Sequence, residues 1–173
     1  MSGVRPLAVL FVAGLYAMTG ATTARAQDLV SSLVRAADPQ PFSPDDLLFM
    51  EVTADGYRLA ETMNVYGSRS GVYVPLGEFS RVADFAVGVF PAEGRAEGWV
   101  GSRDRELRLD LTSRTAVIGN RQISFEPGQA AFYDGDLYLR IDLLEQLLPV
   151  RLRADVNAQT LVVVPTEPLP FQQ

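Results

Sequence analysis

Two segments of the chain share one apolar pattern, and this similarity constrains the fold more than any other feature. Residues 71–76 read GVYVPL and residues 136–141 read DLYLRI, so that Tyr73 aligns with Tyr138. Apolar residues then recur at helical spacing after each segment. These residues are Phe79 and Val82 after the first segment, and Leu144 and Leu147 after the second. The pattern predicts a strand that leads directly into a short helix, twice.

Each helix is followed by an alternating strand, a turn and another strand, so the predicted unit is strand, helix and hairpin. Two copies are expected, at about residues 71–101 and 119–164. One copy has a single small apolar stripe to bury and would be marginal alone, whereas two copies packed against an intervening sheet can share a core.

Hairpin signals lie before, between and within these copies. Asp55-Gly56 and Asp134-Gly135 are dipeptides that favour tight turns between antiparallel strands. Residues 106–111 alternate apolar and charged side chains, as a half-buried strand does. We therefore predict an α+β fold for residues 47–165, made of mostly antiparallel short strands, with short helices at 76–85 and 141–148 covering one side.

The amino terminus has the features of a secretory signal. Arg5 precedes an uncharged apolar run at residues 7–18, and Ala24-Arg25-Ala26 matches a signal-peptidase site. The run is too short to cross a bilayer core, which needs roughly 20 residues. We expect residues 1–26 to be removed by cleavage near Ala26, which places the mature chain in the periplasm or outside the cell.

Proline-rich segments flank the predicted domain. Residues 27–46 are expected to form a short helix at 28–37 and a lead-in containing Pro39, Pro41 and Pro44. Residues 166–173 are expected to form a Pro-rich tail or linker.

Charge and composition exclude several functional classes. Two of the fifteen arginines lie in the signal, so the mature chain carries 13 basic and 21 acidic residues, a formal charge of −8. This sign argues against binding to nucleic acid or to anionic lipid. We expect no stable membrane insertion of the mature domain, and the oligomeric state stays open.

The chain contains no histidine and no cysteine. Acyl-transfer triads, thiol nucleophiles and nitrogen or sulfur metal sites therefore have no residues to build them. Residues 67–71 (GSRSG) have Arg69 where a nucleophile elbow needs serine, so we expect a turn there. We predict no catalytic residue, no metal site and no cofactor. Arg103, Arg105 and Arg108 alternate with acidic residues, which predicts local charge pairing on a solvated strand.

The second copy resembles a known module. Residues 120–125 (NRQISF), 134–141 (DGDLYLRI), 150–155 (VRLRAD) and 159–163 (QTLVV) are similar to the copper amine oxidase-like N-terminal domain. Tyr73-Val74-Pro75-Leu76 in the first copy matches the family's YVPL entry into its helix. The resemblance covers about residues 71–164 and implies a non-catalytic accessory domain of bacterial cell-envelope proteins, because the module carries no copper ligand.

A second resemblance concerns the end of the chain. The closing strand and residues 165–170 (PTEPLP) are similar to the periplasmic segment before the barrel of outer-membrane usher-like proteins. This resemblance implies the N-terminal periplasmic domain of a larger barrel protein involved in export or assembly.

Aromatic residues supply the candidate contact surface. Tyr57, Tyr66, Trp99 and Tyr133 lie on several predicted strands, and any that share a face could stack against sugar rings or a partner peptide. Trp99 is expected to be the most exposed of the four. The function expected from the sequence is a non-enzymatic periplasmic interaction or scaffold module, with an envelope protein or a glycan as its partner.

Overall fold

The computed structural model describes residues 40–170. The predicted signal peptide and the predicted helix at 28–37 lie outside the described residues. Twelve strands and two α-helices follow one another along this part of the chain. Their bounds are β1 Leu47–Ala54, β2 Tyr57–Ser68, β3 Gly71–Pro75, α1 Leu76–Val82, β4 Ala86–Phe90, β5 Arg95–Trp99, β6 Glu106–Asp110, β7 Thr115–Ile118, β8 Arg121–Ser124, β9 Ala130–Tyr133, β10 Asp136–Arg140, α2 Ile141–Leu147, β11 Val150–Asp155 and β12 Thr160–Pro165.

The strands form two sheets. A seven-stranded sheet has the order β11-β12-β1-β2-β3-β10-β9, and a five-stranded sheet has the order β4-β5-β6-β7-β8. All neighbouring strands are antiparallel except β1 and β12, which are parallel. The prediction of an α+β fold with mostly antiparallel strands and two short helices is confirmed.

The local sequence explains the hairpins. Asp55 and Gly56 both have positive φ, at 49° and 80°, and Asp134 and Gly135 repeat this with 46° and 84°. Turns of this kind match the right-handed twist of the strands they join. The dipeptides therefore fix the β1–β2 and β9–β10 connections.

The first helix is shorter than the sequence indicates. It ends at Val82 rather than near residue 85, because Asp84 takes a left-handed conformation with φ of 59° that an α-helix cannot include. The second helix ends at Leu147, one residue before its predicted end.

The main core lies between the seven-stranded sheet, the helices and the five-stranded sheet. One cluster of buried side chains joins Met50 and Val65 of the large sheet, Phe79 of α1, Leu144 of α2 and Leu107 of the small sheet. Alternation along the strands places these residues on the inner faces. The outer face of each sheet, opposite this core, does not contribute to it.

The strand and helix of each predicted copy are present, and the two strands are neighbours. In the β3–β10 pair Tyr73 lies opposite Arg140 and Tyr138 lies opposite Pro75. The hairpins that follow diverge: β4 and β5 belong to the small sheet, whereas β11 and β12 belong to the large one. The prediction that the chain is built from two complete repeats is not confirmed.

Candidate functional site

Four tyrosines meet on the outer face of the seven-stranded sheet. Tyr66 of β2, Tyr73 of β3, Tyr133 of β9 and Tyr138 of β10 form an aromatic cluster that is separate from the main core. The rings of Tyr66 and Tyr133 are 5.3 Å apart between centroids, and those of Tyr66 and Tyr138 are 5.1 Å apart. Two of the four predicted surface residues, Tyr66 and Tyr133, are therefore brought together.

The lead-in covers this tyrosine cluster. The Phe42 ring stacks on Tyr66 with 4.4 Å between centroids and lies 5.0 Å from Tyr73. It meets the rings of Tyr133 and Tyr138 at 5.5 Å each. Phe42 is 5% exposed, so the chain itself occupies the surface on which Tyr66 lies.

The tyrosine hydroxyls serve structural roles. The Tyr73 hydroxyl donates to the Gly128 carbonyl oxygen over 2.6 Å and lies 2.9 Å from the Ser70 Oγ, so the predicted turn at 67–71 is tied to the cluster. Burial raises the pKa of Tyr66 and, more strongly, that of Tyr138 above the ordinary tyrosine value. Desolvation favours the neutral phenol, so neither hydroxyl offers a phenolate at neutral pH.

Trp99 lies on the outer face of the other sheet. It is 47% exposed at the end of β5, and Phe90 on the neighbouring strand is 40% exposed. Trp99 lies opposite Ala86 of β4 and Glu106 of β6. Strand alternation puts one set of residues on this outer face. We name that set the Trp99 face: Ala86, Gly88 and Phe90 of β4, Arg95, Glu97 and Trp99 of β5, and Glu106, Arg108 and Asp110 of β6.

Glycines shape the Trp99 face. A Cβ on Gly98 would lie 2.0 Å from the Ala86 carbonyl oxygen and 2.6 Å from the Val87 Cα. Only glycine therefore permits β4 and β5 to approach this closely beside Trp99. Gly88 adds no side chain to the outer face, and the Phe90 ring leans over it, 3.7 Å from where a Cβ would lie.

Charged side chains border the aromatic part of the face. Glu97 lies opposite Arg108, and Arg95 lies opposite Asp110. Arg108 also forms an ion pair with Glu106, 2.7 Å between Nη2 and Oε1. The local pairing predicted for Arg108 is confirmed. The Trp99 face combines two exposed aromatic rings with hydrogen-bond donors and acceptors of both charges.

The four predicted surface residues do not form one surface. Tyr57 is 71% exposed beside the β1–β2 turn, about 30 Å along β2 from Tyr66 at the usual rise per residue. Trp99 lies on the other sheet. Phe90 was not predicted as a surface residue, but it lies on the same face as Trp99. The available signal was its alternation with Ala86 and Gly88 along β4.

Asp136 has a role that the sequence did not reveal. Its carboxylate accepts hydrogen bonds from the backbone N–H groups of Gly77 and Glu78 at 2.8 and 2.9 Å. It thereby caps the first turn of α1 from a strand about 60 residues further on. Burial, the largest cause, raises the pKa of Glu78, with Arg81 opposing this rise and Asp136 adding to it.

The described part of the predicted tail packs on the domain. Leu169 is fully buried, and Arg105 donates to both carboxylate oxygens of Glu167, with 3.0 Å between Nη2 and Oε2. The pairing of Arg105 is thus not the local pairing predicted for this cluster, because its partner lies 62 residues away. An open cleft of about 380 Å³ adjoins this pair and is lined also by Arg121, Glu145 and Pro149.

Within residues 40–170, no group of three or more histidine, cysteine, aspartate or glutamate side chains is placed to hold a metal ion. None of the helices in this part of the chain is long and apolar enough to cross a membrane.

Comparison with known proteins gives no relative. No family model matches the chain, and neither the curated proteins nor the solved structures contain a significant match to it. The resemblances to the copper amine oxidase-like N-terminal domain and to usher-like proteins therefore stay predictions.

Proposed function

We propose that this protein is a non-enzymatic interaction module of the bacterial cell envelope, which acts in the periplasm or outside the cell after signal cleavage and binds its partner through the Trp99 face. The observation that carries the proposal is the exposure of Trp99 and Phe90 together on one sheet face. Large apolar rings that share an exposed face are typical of contact surfaces, whereas isolated exposed apolar residues need no explanation.

The tyrosine cluster is the less suitable surface. Phe42 fills the space between its rings. The hydroxyl of Tyr73 is engaged by Gly128. A partner would have to displace the lead-in before it could reach Tyr66, whereas the Trp99 indole is accessible without any rearrangement.

A non-catalytic role is supported by residue chemistry. The sequence has no histidine or cysteine to act as base, nucleophile or nitrogen or sulfur ligand. The carboxylate of Asp136, the first residue of β10, is committed to capping α1.

We also propose that β3–α1 and β10–α2 are two copies of one ancestral strand-helix unit. Each strand runs directly into a seven-residue helix, and Tyr73 and Tyr138 belong to the same aromatic cluster. In this proposal the hairpin after the second helix, β11–β12, joined the large sheet beside β1. The hairpin after the first helix, β4–β5, became part of the small sheet.

A binding comparison tests the proposed function. The mature domain is incubated with peptidoglycan sacculi, exopolysaccharide and an extract of envelope proteins, together with the Trp99→Ala and Phe49→Ala variants. Phe49 is the matched control because it is 54% exposed on the outer face of the other sheet. We expect at least one fraction to retain the wild type and Phe49→Ala but not Trp99→Ala. Equal retention of all three proteins, or of none, contradicts the proposal.

The alternative function, an N-terminal periplasmic domain of an usher-like barrel protein, is favoured by the Pro-rich residues 166–170. These residues pack on the domain through the Arg105–Glu167 ion pair and the buried Leu169. This packing would fix the orientation of the domain relative to a barrel that follows it. Sequencing of the parent gene beyond codon 173 tests this alternative: alternating strands of about 10 residues favour it, and a stop codon favours the free module.

A further inference from the structure

We propose that the Trp99 face is a glycan-binding platform, on which the apolar side of a neutral pyranose ring stacks against the Trp99 indole. This inference rests on the proposed function and names its ligand class. A pyranose has an apolar side formed by C–H groups and a rim of hydroxyls, so it needs a flat ring with hydrogen-bonding groups beside it.

The indole is open to a flat ligand. Trp99 has the small residue Ala86 as its partner on β4, and Gly88, two register positions further along β4, is the next residue on the same face. The Ala86 side chain adds little height beside the indole, so a sugar ring could reach the indole over Ala86 without a clash. Phe90 leans over Gly88 from the other end of β4. The backbone positions of Phe90 and Ala86 are four residue steps, about 13 Å, apart on β4. Because the Phe90 ring extends back over Gly88, it lies within reach of a short sugar chain that starts at the indole.

The apolar area is small, and this favours a glycan over a protein partner. A stable protein interface buries about 800 Å² on each side, with several large apolar residues at its centre. The Trp99 face offers two exposed rings, and charged residues take the next positions on β5 and β6. An apolar centre of this size matches one or two sugar rings.

The charged rim suits neutral hydroxyls. The Glu97 carboxylate can accept and the Arg108 guanidinium can donate, and these residues are directly opposite on β5 and β6. The face carries two arginines and three acidic residues, and the mature chain is acidic. An anionic polymer would be repelled rather than held, so the platform fits a neutral glycan.

Trp99 is the only tryptophan in the chain, so intrinsic fluorescence reports on the proposed contact directly. The mature wild-type domain is titrated with neutral tetrasaccharides of glucose and of N-acetylglucosamine. Stacking removes water from the indole, and we expect a saturable blue shift of the emission for at least one of them. Calorimetry then compares wild type with Trp99→Ala, Trp99→Phe and the control Phe49→Ala.

We expect Trp99→Ala to weaken oligosaccharide binding roughly tenfold or more, Trp99→Phe to weaken it less, and Phe49→Ala to leave it unchanged. Equal binding by Trp99→Ala and wild type overturns the platform. If neither oligosaccharide binds but an envelope protein is captured in a manner that requires Trp99, the glycan inference is overturned and the proposed function stands. If the domain binds neither an oligosaccharide nor an envelope fraction, the glycan inference and the proposed function are both overturned.

Discussion

Replacement of Phe42 by alanine tests how the lead-in is held to the domain. The Phe42 ring is 5% exposed and contacts four tyrosine rings. Truncation of a buried phenylalanine to alanine costs about 3–5 kcal/mol. The cluster lies on an outer sheet face, where the tyrosines can regain water once the ring is gone. We therefore expect the lower end of this range, about 3 kcal/mol in the free energy of unfolding.

Urea denaturation measures this loss. Far-UV circular dichroism follows the strands, and fluorescence follows Trp99, which lies on the other sheet and so reports unfolding of the whole domain. A loss of 3 kcal/mol corresponds to a decrease of roughly 10 °C in Tm for a domain of this size. Phe42→Leu keeps most of the apolar volume and should cost less than about 1.5 kcal/mol.

Phe49→Ala is the matched control, because Phe49 is an exposed phenylalanine on the outer face of the same sheet. Its replacement should change the free energy of unfolding by no more than about 0.5 kcal/mol. If Phe42→Ala proves as mild as Phe49→Ala, the lead-in does not close the tyrosine cluster and our account of that surface is wrong.

Three further substitutions probe other contacts, each measured by urea denaturation. Gly98→Ala places a methyl group against the β4 backbone and should cost about 3 kcal/mol; a neutral result would show that the strands can separate. Asp136→Ala removes the α1 cap and should cost about 1–2 kcal/mol. Asp104→Ala, which changes an exposed aspartate in the loop between β5 and β6, should cost less than about 0.5 kcal/mol, and equal costs would contradict the capping role. The hydrogen bond from Arg105 lowers the pKa of Glu167 below its ordinary 4.5, so the pair stabilises the domain above that pH and this contribution is lost as the pH falls through the lowered value. Glu167→Gln should therefore cost under about 1 kcal/mol at neutral pH, since the pair is partly exposed, and nothing in strong acid; a cost that persists in acid would contradict the ion pair.

The strands and turns could be predicted because their causes are local. Asp55-Gly56 dictates a tight turn by itself, and alternation of apolar residues gives the inner face of β6 without knowledge of its neighbours. The entries into the two helices were predictable for the same reason. The end of α1 was not, because the left-handed conformation of Asp84 ends the helix without glycine or proline.

The arrangement of the sheets depends on contacts that the sequence does not show. The parallel pairing of Glu51 with Thr160 joins residues more than 100 positions apart, and no local pattern indicates it. The same holds for Arg105 with Glu167 and for the cap that Asp136 provides.

The candidate surface was predicted only in part. Trp99 was expected to be the most exposed of the four residues. It is exposed, at 47%, but Tyr57 is more exposed, at 71%, because it lies beside the β1–β2 turn. Tyr66 was grouped with it because strand aromatics on either sheet look alike in sequence. The structure places Tyr66 beneath Phe42. Phe42 follows Pro41 in the lead-in, and the sequence pattern there gives no sign that this ring packs on the domain.

Mapping of amide chemical shifts tests the location of the binding surface most directly. The isotope-labelled mature domain is titrated with the best-binding oligosaccharide or with a captured envelope protein. We expect the largest shifts on β4, β5 and β6, around Ala86, Glu97 and Trp99. Shifts concentrated around Tyr66, Tyr133 and Tyr138 would place the partner on the tyrosine cluster and contradict the account.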